Sequence, residues 1–275
     1  MTTRDPDVTI RPFPRSRRLI VDNGRADRRR HPMVGLVEMD VTRARTLIRR
    51  HEVATGQKLS FTAFVVACVA RAVADHPEVQ AYRDLRDRLV AAHDVDACLS
   101  AEVEIEGGSF PMSHVIRAAN RRSVQDIHRE IRRVQRDPAS SPSARMIGPA
   151  KAFLWVPGPI RAWLWRSLRR WPARQRALAG TVGVTSIGMF GAGGGWGIPF
   201  QVHTLNVVIG GIVERAVFVD GSVVPREFVD LTLSFDHDVV DGAPAARFAA
   251  RLRELLESAS VLDADASVPS VPAAT

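Results

Sequence analysis

The sequence predicts an α/β protein, on three observations. His31 to Asp40 alternates apolar and polar residues, as a strand with one buried face does. Phe61, Phe64, Val65, Cys68, Val69, Ala72 and Val73 recur at i, i+3, i+4 and i+7, the stripe of a helix lying on a core. Strand patterns return at Thr181–Thr185, Leu205–Val213 and Leu231–Phe235, ahead of a last helical stripe of Phe248, Leu252, Leu255 and Leu256. Strands and helices therefore interleave along one chain.

The remaining elements follow in order. Residues 1–30 are rich in arginine, carry Pro6, Pro12 and Pro14, and read as an extended arm. Asp40 or Thr42 is the cap of a helix that ends near Gly56. Ser60 caps the Phe61 helix and Pro77 stops it. Leu89 to Ile105 reads as paired strands, with Gly107-Gly108 as a turn and Phe110 to Ile116 as another strand. Asn120 to Arg136 is an amphipathic helix studded with arginine, and Asp137 to Pro149 is a Pro/Ser linker. Asp220-Gly221 is a hairpin turn, and Pro244 fits the first turn of the last helix. The division is an arm over 1–30, a main domain over 31–258 with an insertion over 146–178, and a disordered tail over 259–275.

Composition excludes several classes. At 275 residues, 45% hydrophobic and 25% charged, the chain is neither a collagen, a disulfide scaffold nor a wholly disordered protein. Cys68 and Cys98 have no ligand spacing, so no metal site is expected. Two thiols and a polar start from Met1 to Asp7 point to a reducing, cytoplasmic setting. Gly180 to Val213 has no charged side chain, but ten glycines, Pro199, Gln201 and Asn206 break it, which excludes a membrane span. Gly193-Gly194-Gly195 is not followed by Lys-Ser/Thr, which excludes a Walker loop.

Net charge is +8, and only Lys58 and Lys151 are lysines among the 38 basic residues. Arginines cluster over 11–30, 117–136 and 161–176, and no acid occurs from Pro138 to Val213. Two readings stay open: an anionic partner (CoA phosphates, a membrane surface or nucleic acid), or solvated helix faces and subunit contacts.

The most informative string is Leu231-Thr-Leu-Ser-Phe-Asp236-His237-Asp238-Val-Val-Asp241-Gly242. A histidine leaves an apolar strand, and an aspartate and glycine four residues on open a helix. A second string, Gly180-Thr-Val-Gly-Val-Thr185-Ser186-Ile-Gly188, places a hydroxyl 52 positions before His237. Together these strings resemble the catalytic domain of the dihydrolipoamide acyltransferases of 2-oxoacid dehydrogenase complexes, and more distantly the chloramphenicol acetyltransferases. His31-Pro32 through Asp40-Val41-Thr42, Asp75-His76-Pro77, Asp94-Val95-Asp96 and Val115-Ile116-Arg117 fall in the same family order.

The resemblance implies a two-layer α/β sandwich, chloramphenicol acetyltransferase-like, with a mixed sheet covered by helices. It implies an acyltransferase using acyl-CoA, a lipoyl group supplied only in trans, and a homotrimer or a multiple of trimers with oxoacid dehydrogenase components as partners. His237 is then the general base, and Thr185 of the neighbouring subunit, with Ser186 as the substitute, donates to the oxyanion. Asp241 fixes the loop through an ion pair, Gly242 supports it, and Arg17 is the expected arginine partner. His31, His76, His114 and His203 receive no role.

Three departures stand out. Asp238 replaces the arginine usual after the catalytic histidine, and neither Lys58 nor Lys151 has the setting of a lipoyl lysine. Residues 146–178 hold Trp155, Trp163, Trp165 and Trp171 among arginines, which suits a membrane interface, an acyl-chain pocket or a subunit contact. The alternative to an enzyme is a non-catalytic or membrane-associated scaffold that keeps the fold. Nucleic acid is not expected as a partner, because no nucleic-acid motif accompanies the arginines.

Overall fold

A computed structural model of the chain describes residues 13, 17–27, 30–84, 86–105, 108–141, 155–168, 172–188 and 193–266. In chain order its elements are α1 (Arg17–Asp27), β1 (Pro32–Asp40), α2 (Thr42–Thr55), α3 (Phe61–Asp75), β2 (Tyr82–Arg83), β3 (Leu89–Val90), β4 (Ala97–Ile105), β5 (Gly108–Ile116) and α4 (Val124–Arg136). There follow α5 (Gly158–Leu168), α6 (Pro172–Ala179), β6 (Val182–Ser186), β7 (Leu205–Val219), β8 (Ser222–Asp236), α7 (Gly242–Ser258) and α8 (Ser260–Ala266).

Six strands form one mixed sheet in the order β1-β8-β7-β6-β4-β5, and β2 pairs with β3 apart from it. β6 runs parallel to both β4 and β7, and the other neighbours are antiparallel. Strand alternation sends Val184, Val207, Leu233 and Phe235 to one face, where they meet Phe64, Phe248 and Leu252 in a single buried cluster. Burying each of these large side chains contributes about 1.5–3 kcal/mol. The Phe248 ring packs edge-on to Phe235 with centroids 5.8 Å apart, which ties α7 to the end of β8.

α3 is apolar nearly all round because it is the central helix of this layer, packed against α4 and α7. Ser60 Oγ accepts from Ala63 N at 3.4 Å, the expected cap, and Asp75 is the last helical residue before His76-Pro77. Cys68 and Cys98 are both buried free thiols. Burial pushes the Cys68 thiol up and the Cys98 thiol up to about 11, so neither is a ready nucleophile.

Among the described residues the opposite sheet face is covered in part, with Val208 and Thr232 buried and the strands at its edges more open. Leu36, Thr232, Val208, Thr185, Ser100 and Ser113 form one row across the strands. Leu36 is 53% exposed there, although it lies mid-strand. Residues 193–201 cross part of this face. Gly195 N donates to Asp230 Oδ2 at 2.6 Å, and Trp196 Nε1 donates to Val37 O at 3.3 Å. The glycines follow from that crossing, since a Cβ on Gly210 would run into the Gly195 carbonyl and one on Gly211 into that of Gly193. β7 bulges at the same place, where its register with β8 shifts between Ile209 and Ile212.

Four expectations change. The arm is not extended over Arg17–Asp27, which is helical; Asp22 is buried there against Arg161, a partner 139 positions away. Thr42 is inside α2 rather than its cap, Val41 is the cap residue, and Asp40 Oδ1 accepts from Thr42 N at 2.9 Å. The tail after Ser258 begins with helix α8, whose Val261 is buried. The Leu205–Val213 and Leu231–Phe235 strands belong to a 15-residue pair that runs on as an exposed ribbon to its turn. Asp220 and Gly221 have φ of 47° and 81°, the left-handed pair that a two-residue turn requires. Residues 1–12, Gly107, most of the Pro/Ser linker, residues 146–154, Trp171 and residues 267–275 lie outside the described residues.

Candidate active site

The loop after β8 carries the site. Asp236 N donates to Thr204 O at 2.8 Å and His237 N to His31 O at 2.9 Å, so the chain leaves the sheet between the starts of β7 and β1. Val239 N and Val240 N both donate to Asp236 O at 3.0 Å, closing a turn ahead of α7. Backbone bonds therefore fix the histidine on both sides, while its side chain is 50% exposed.

Charges around this loop come from residues 30 and 31. Arg30 Nη1 lies 2.5 Å from Asp236 Oδ2 with both side chains nearly sealed, and Arg30 Nη2 donates to Val202 O at 3.2 Å. His31 Nδ1 donates to Asp238 Oδ1 at 2.8 Å. The carboxylate at 238 thus has a partner supplied by the first residues of the β1 connection. Asp241 Oδ1 is 3.6 Å from His237 Nδ1 and 85% exposed, too far for a hydrogen bond. Asp241 is also the cap residue of α7, with no side-chain cap bond.

Arg17 does not meet Asp241. It is exposed on α1, and among the described residues no ion pair joins the two. The arginine at this loop is Arg30, which sequence reasoning missed. Its partner is 206 positions away, and within an arginine-rich stretch nothing local marks it. A Cβ on Gly242 would meet nothing within 4 Å, so this position needs no glycine for space.

Thr185 lies elsewhere in the same chain. It pairs with Val208, which pairs with Thr232, and His237 is five residues past Thr232. At about 3.3 Å per residue along a strand and about 4.8 Å between strands, the two side chains start about 19 Å apart. Thr185 projects from the face opposite the helical layer, as Gly183 does, whereas Ser186 alternates toward the helical layer in register with Ile209. Ser186 therefore cannot take the place of Thr185 on that face.

A cleft of about 720 Å³ opens beside Thr204, lined among others by Tyr82, His93, Asp96, Arg117, Arg176 and His203. Asp96 accepts from Arg176 Nε at 2.7 Å, Ala118 N at 2.9 Å and Arg117 Nη1 at 3.0 Å. Burial pushes its carboxyl up, but these donors outweigh burial and hold it below the usual range. His203 is buried, which pushes its pKa down, and its Nε2 donates to Ala179 O at 2.6 Å. Both serve to bind α6 to the sheet.

His114 forms a further constellation, receiving Ser141 Oγ–H at Nδ1 (2.8 Å) and donating from Nε2 to Glu130 Oε1 (2.7 Å). All three are largely buried. The order of groups is that of a hydrolytic triad, but the serine is sealed and the cluster joins β5 to α4. Among the described residues no group of three His, Cys, Asp or Glu side chains is placed to hold a metal ion, and no helix is long and apolar enough to cross a membrane.

Comparison with known proteins gives the family. A lipoamide acyltransferase component of a branched-chain α-keto acid dehydrogenase complex from Pseudomonas putida is 28% identical over 232 residues, covering 82% of this chain and 46% of that protein. The chain thus spans under half the length of that relative. The dihydrolipoamide acetyltransferase of Azotobacter vinelandii, studied for the role of a serine, a histidine and an asparagine in its catalytic mechanism, superposes with a TM-score of 0.69 at 18% identity, covering 93% of this chain and 94% of that one. The cubic core of a pyruvate dehydrogenase multienzyme complex superposes with a TM-score of 0.67 at 18% identity, covering 93% and 94%. These superpositions give the fold, and the family model for the 2-oxoacid dehydrogenases acyltransferase catalytic domain matches residues 5–141 and 173–263. The chain belongs to the 2-oxoacid dehydrogenases acyltransferase (catalytic domain) family.

Proposed function

We propose that the protein transfers an acyl group between coenzyme A and a thiol acceptor of the dihydrolipoamide kind, at sites shared between subunits. His237 is the general base and Thr185 of the adjoining subunit donates to the oxyanion. The attacking thiol gives its proton to His237 Nε2, and the sulfur bonds to the thioester carbonyl carbon. Negative charge moves to the carbonyl oxygen, where the Thr185 hydroxyl donates a hydrogen bond. The tetrahedral adduct then collapses, the old carbon–sulfur bond breaks, and His237 returns the proton to the departing sulfur. An imidazole suits this exchange because one ring nitrogen can both take up and return the proton.

The observation that carries this reading is the separation of a fixed, half-exposed His237 from Thr185 by about 19 Å within one chain. That distance leaves the pair idle unless a second subunit brings them together. Exposed Leu36 on the face opposite the helices supports such a contact, as does Ile198, 75% exposed on the crossing segment. Spacing supports the residue roles as well: the intervals of 52 and four between the three catalytic residues studied in the Azotobacter protein equal those between Thr185, His237 and Asp241. Asp241 would hold the imidazole by charge, and Arg30 would hold the loop. A trimer, or a core built of trimers, is the assembly the proposal takes for this chain, in line with the cubic core it superposes on.

The test is release of CoA thiol from a panel of acyl-CoAs with free dihydrolipoamide and with amine and hydroxyl acceptors. Release with dihydrolipoamide that disappears in His237→Ala supports the proposal. Release only with a non-thiol acceptor overturns the thiol assignment, and no release with any acceptor overturns the activity.

A further inference from the structure

The segment that the family model leaves out, residues 142–172, contains α5 and the tryptophan-rich stretch. Four of the five tryptophans fall between residues 155 and 171. α5 is oriented by a buried ion pair on its inner side. Arg161 Nε and Nη2 reach the two carboxylate oxygens of Asp22 on α1 at 2.7 and 3.4 Å, and Nη1 donates to Val156 O at 2.8 Å. With Arg161 turned inward, Ile160 and Trp163 face outward, the tryptophan 60% exposed, and Trp155 just before the helix is 73% exposed. α1 adds exposed Arg17, Arg18, Val21 and Arg25, and Phe13 shares a cleft between the helices with Arg18, Val21 and Arg25.

We propose that the outer faces of α1 and α5 form one docking surface for an anionic lipid bilayer. Charge selects this occupant. Arg17, Arg18 and Arg25 are exposed on α1, α5 carries no acid, and Asp22 on α1 is already taken up by Arg161 and Arg25. A twofold contact with a second copy would set this positive surface against itself. An anionic headgroup layer complements it, at about 1 kcal/mol per lysine or arginine near the surface. The apolar residues fit the same partner. A tryptophan ring places an apolar body in the acyl boundary and a polar N–H among headgroups, and Ile160, Val21 and Phe13 add area that a nucleic-acid backbone would not use. Length decides the orientation. The 11 residues of α5 extend about 16 Å, half of a hydrocarbon core of about 30 Å, so the helix lies along the interface.

The test is sedimentation of the full chain with phosphatidylcholine vesicles, with and without phosphatidylglycerol. The protein is expected to pellet with the anionic vesicles at low salt, at least about tenfold more tightly than with neutral ones, and to be released as salt rises. Trp155→Ala with Trp163→Ala should weaken binding by about tenfold or more while far-UV circular dichroism is unchanged. Brominated lipid should quench the tryptophan emission of the unmodified protein, a readout that needs no variant. No pelleting above the lipid-free control, equal binding to both vesicles, or no quenching overturns the proposal. So does a Trp155/Trp163 variant that changes oligomeric state, which would make the surface an interface between copies. Tighter tryptophan-dependent binding to duplex DNA than to vesicles would assign the surface to nucleic acid instead.

Discussion

Arg30 and Asp236 form a nearly sealed ion pair immediately before the candidate catalytic histidine, with Nη1 2.5 Å from Oδ2. The same guanidinium binds Val202 O, so one side chain ties the end of β8 to the segment entering β7. Asp238 N also donates to Asp236, at 3.3 Å, which makes this carboxylate the hub of the loop. Arg30→Met removes one partner of a buried pair and leaves Asp236 uncompensated, at a cost of about 3–5 kcal/mol. The expected result is a lower urea midpoint together with a reduced kcat. Arg30→Met with Asp236→Asn should recover most of the stability, because both charges are then gone. A double variant no more stable than the single one would show that the pair does not hold the loop.

The glycines at the β7 bulge should respond by position rather than by residue type. Gly210→Ala forces a methyl onto the Gly195 carbonyl and near Asp230 O, both backbone atoms, and should destabilise the fold by about 1–3 kcal/mol. Gly242→Ala places its methyl in open space at the first turn of α7 and should change stability by less than about 0.5 kcal/mol. Thermal or urea unfolding of the two variants measures the contrast. Equal effects would mean that the crossing segment can shift away from β7.

Acid stability should depend on Glu130. Burial pushes its carboxyl up, but hydrogen bonds from His114 and Arg122 outweigh burial and hold it at about 2, against an ordinary 4.5. A carboxyl depressed in the folded state contributes stability above its unfolded pKa and loses it as pH falls through the folded one. The stabilisation is therefore present above about pH 4.5 and disappears progressively toward pH 2. Urea midpoints across this range should fall for the unmodified protein and fall less steeply for Glu130→Gln. Parallel curves would remove Glu130 as the source.

General-base help is typically worth roughly 10²–10⁴-fold, and His237→Ala should lower kcat by that much. KM should stay near its original value, since the loop backbone is held by main-chain bonds that alanine preserves. Thr185→Ala should cost roughly 10²-fold, within the range for loss of one oxyanion donor. Stopped-turnover measurement of CoA release separates the two parameters, and a pure KM effect in either variant would contradict the assigned role.

Local chemistry made much of this molecule readable from sequence. Ser60 and Pro77 bracket α3, and Asp220-Gly221 closes its hairpin, because caps and two-residue turns are set by residues a few positions apart. The strings around Thr185 and His237 point to the acyltransferase family through residues close in sequence, and the family match bears that resemblance out. The hidden features depend on distant partners. α1 has no apolar stripe to announce it and is held by Arg161 across 139 residues, and Arg30 meets Asp236 across 206. The β7–β8 ribbon runs past Val213 with exposed polar residues, so a search for apolar alternation stops short of its turn.

The central claim is that each reactive centre combines His237 of one subunit with Thr185 of another. Co-expression of His237→Ala and Thr185→Ala chains under separate tags, with purification of doubly tagged assemblies, tests it most directly. In a mixed cyclic trimer one of the three junctions regains both side chains, so doubly tagged protein should show about one third of the unmodified activity. Activity no higher than that of the two parent variants would contradict a shared site.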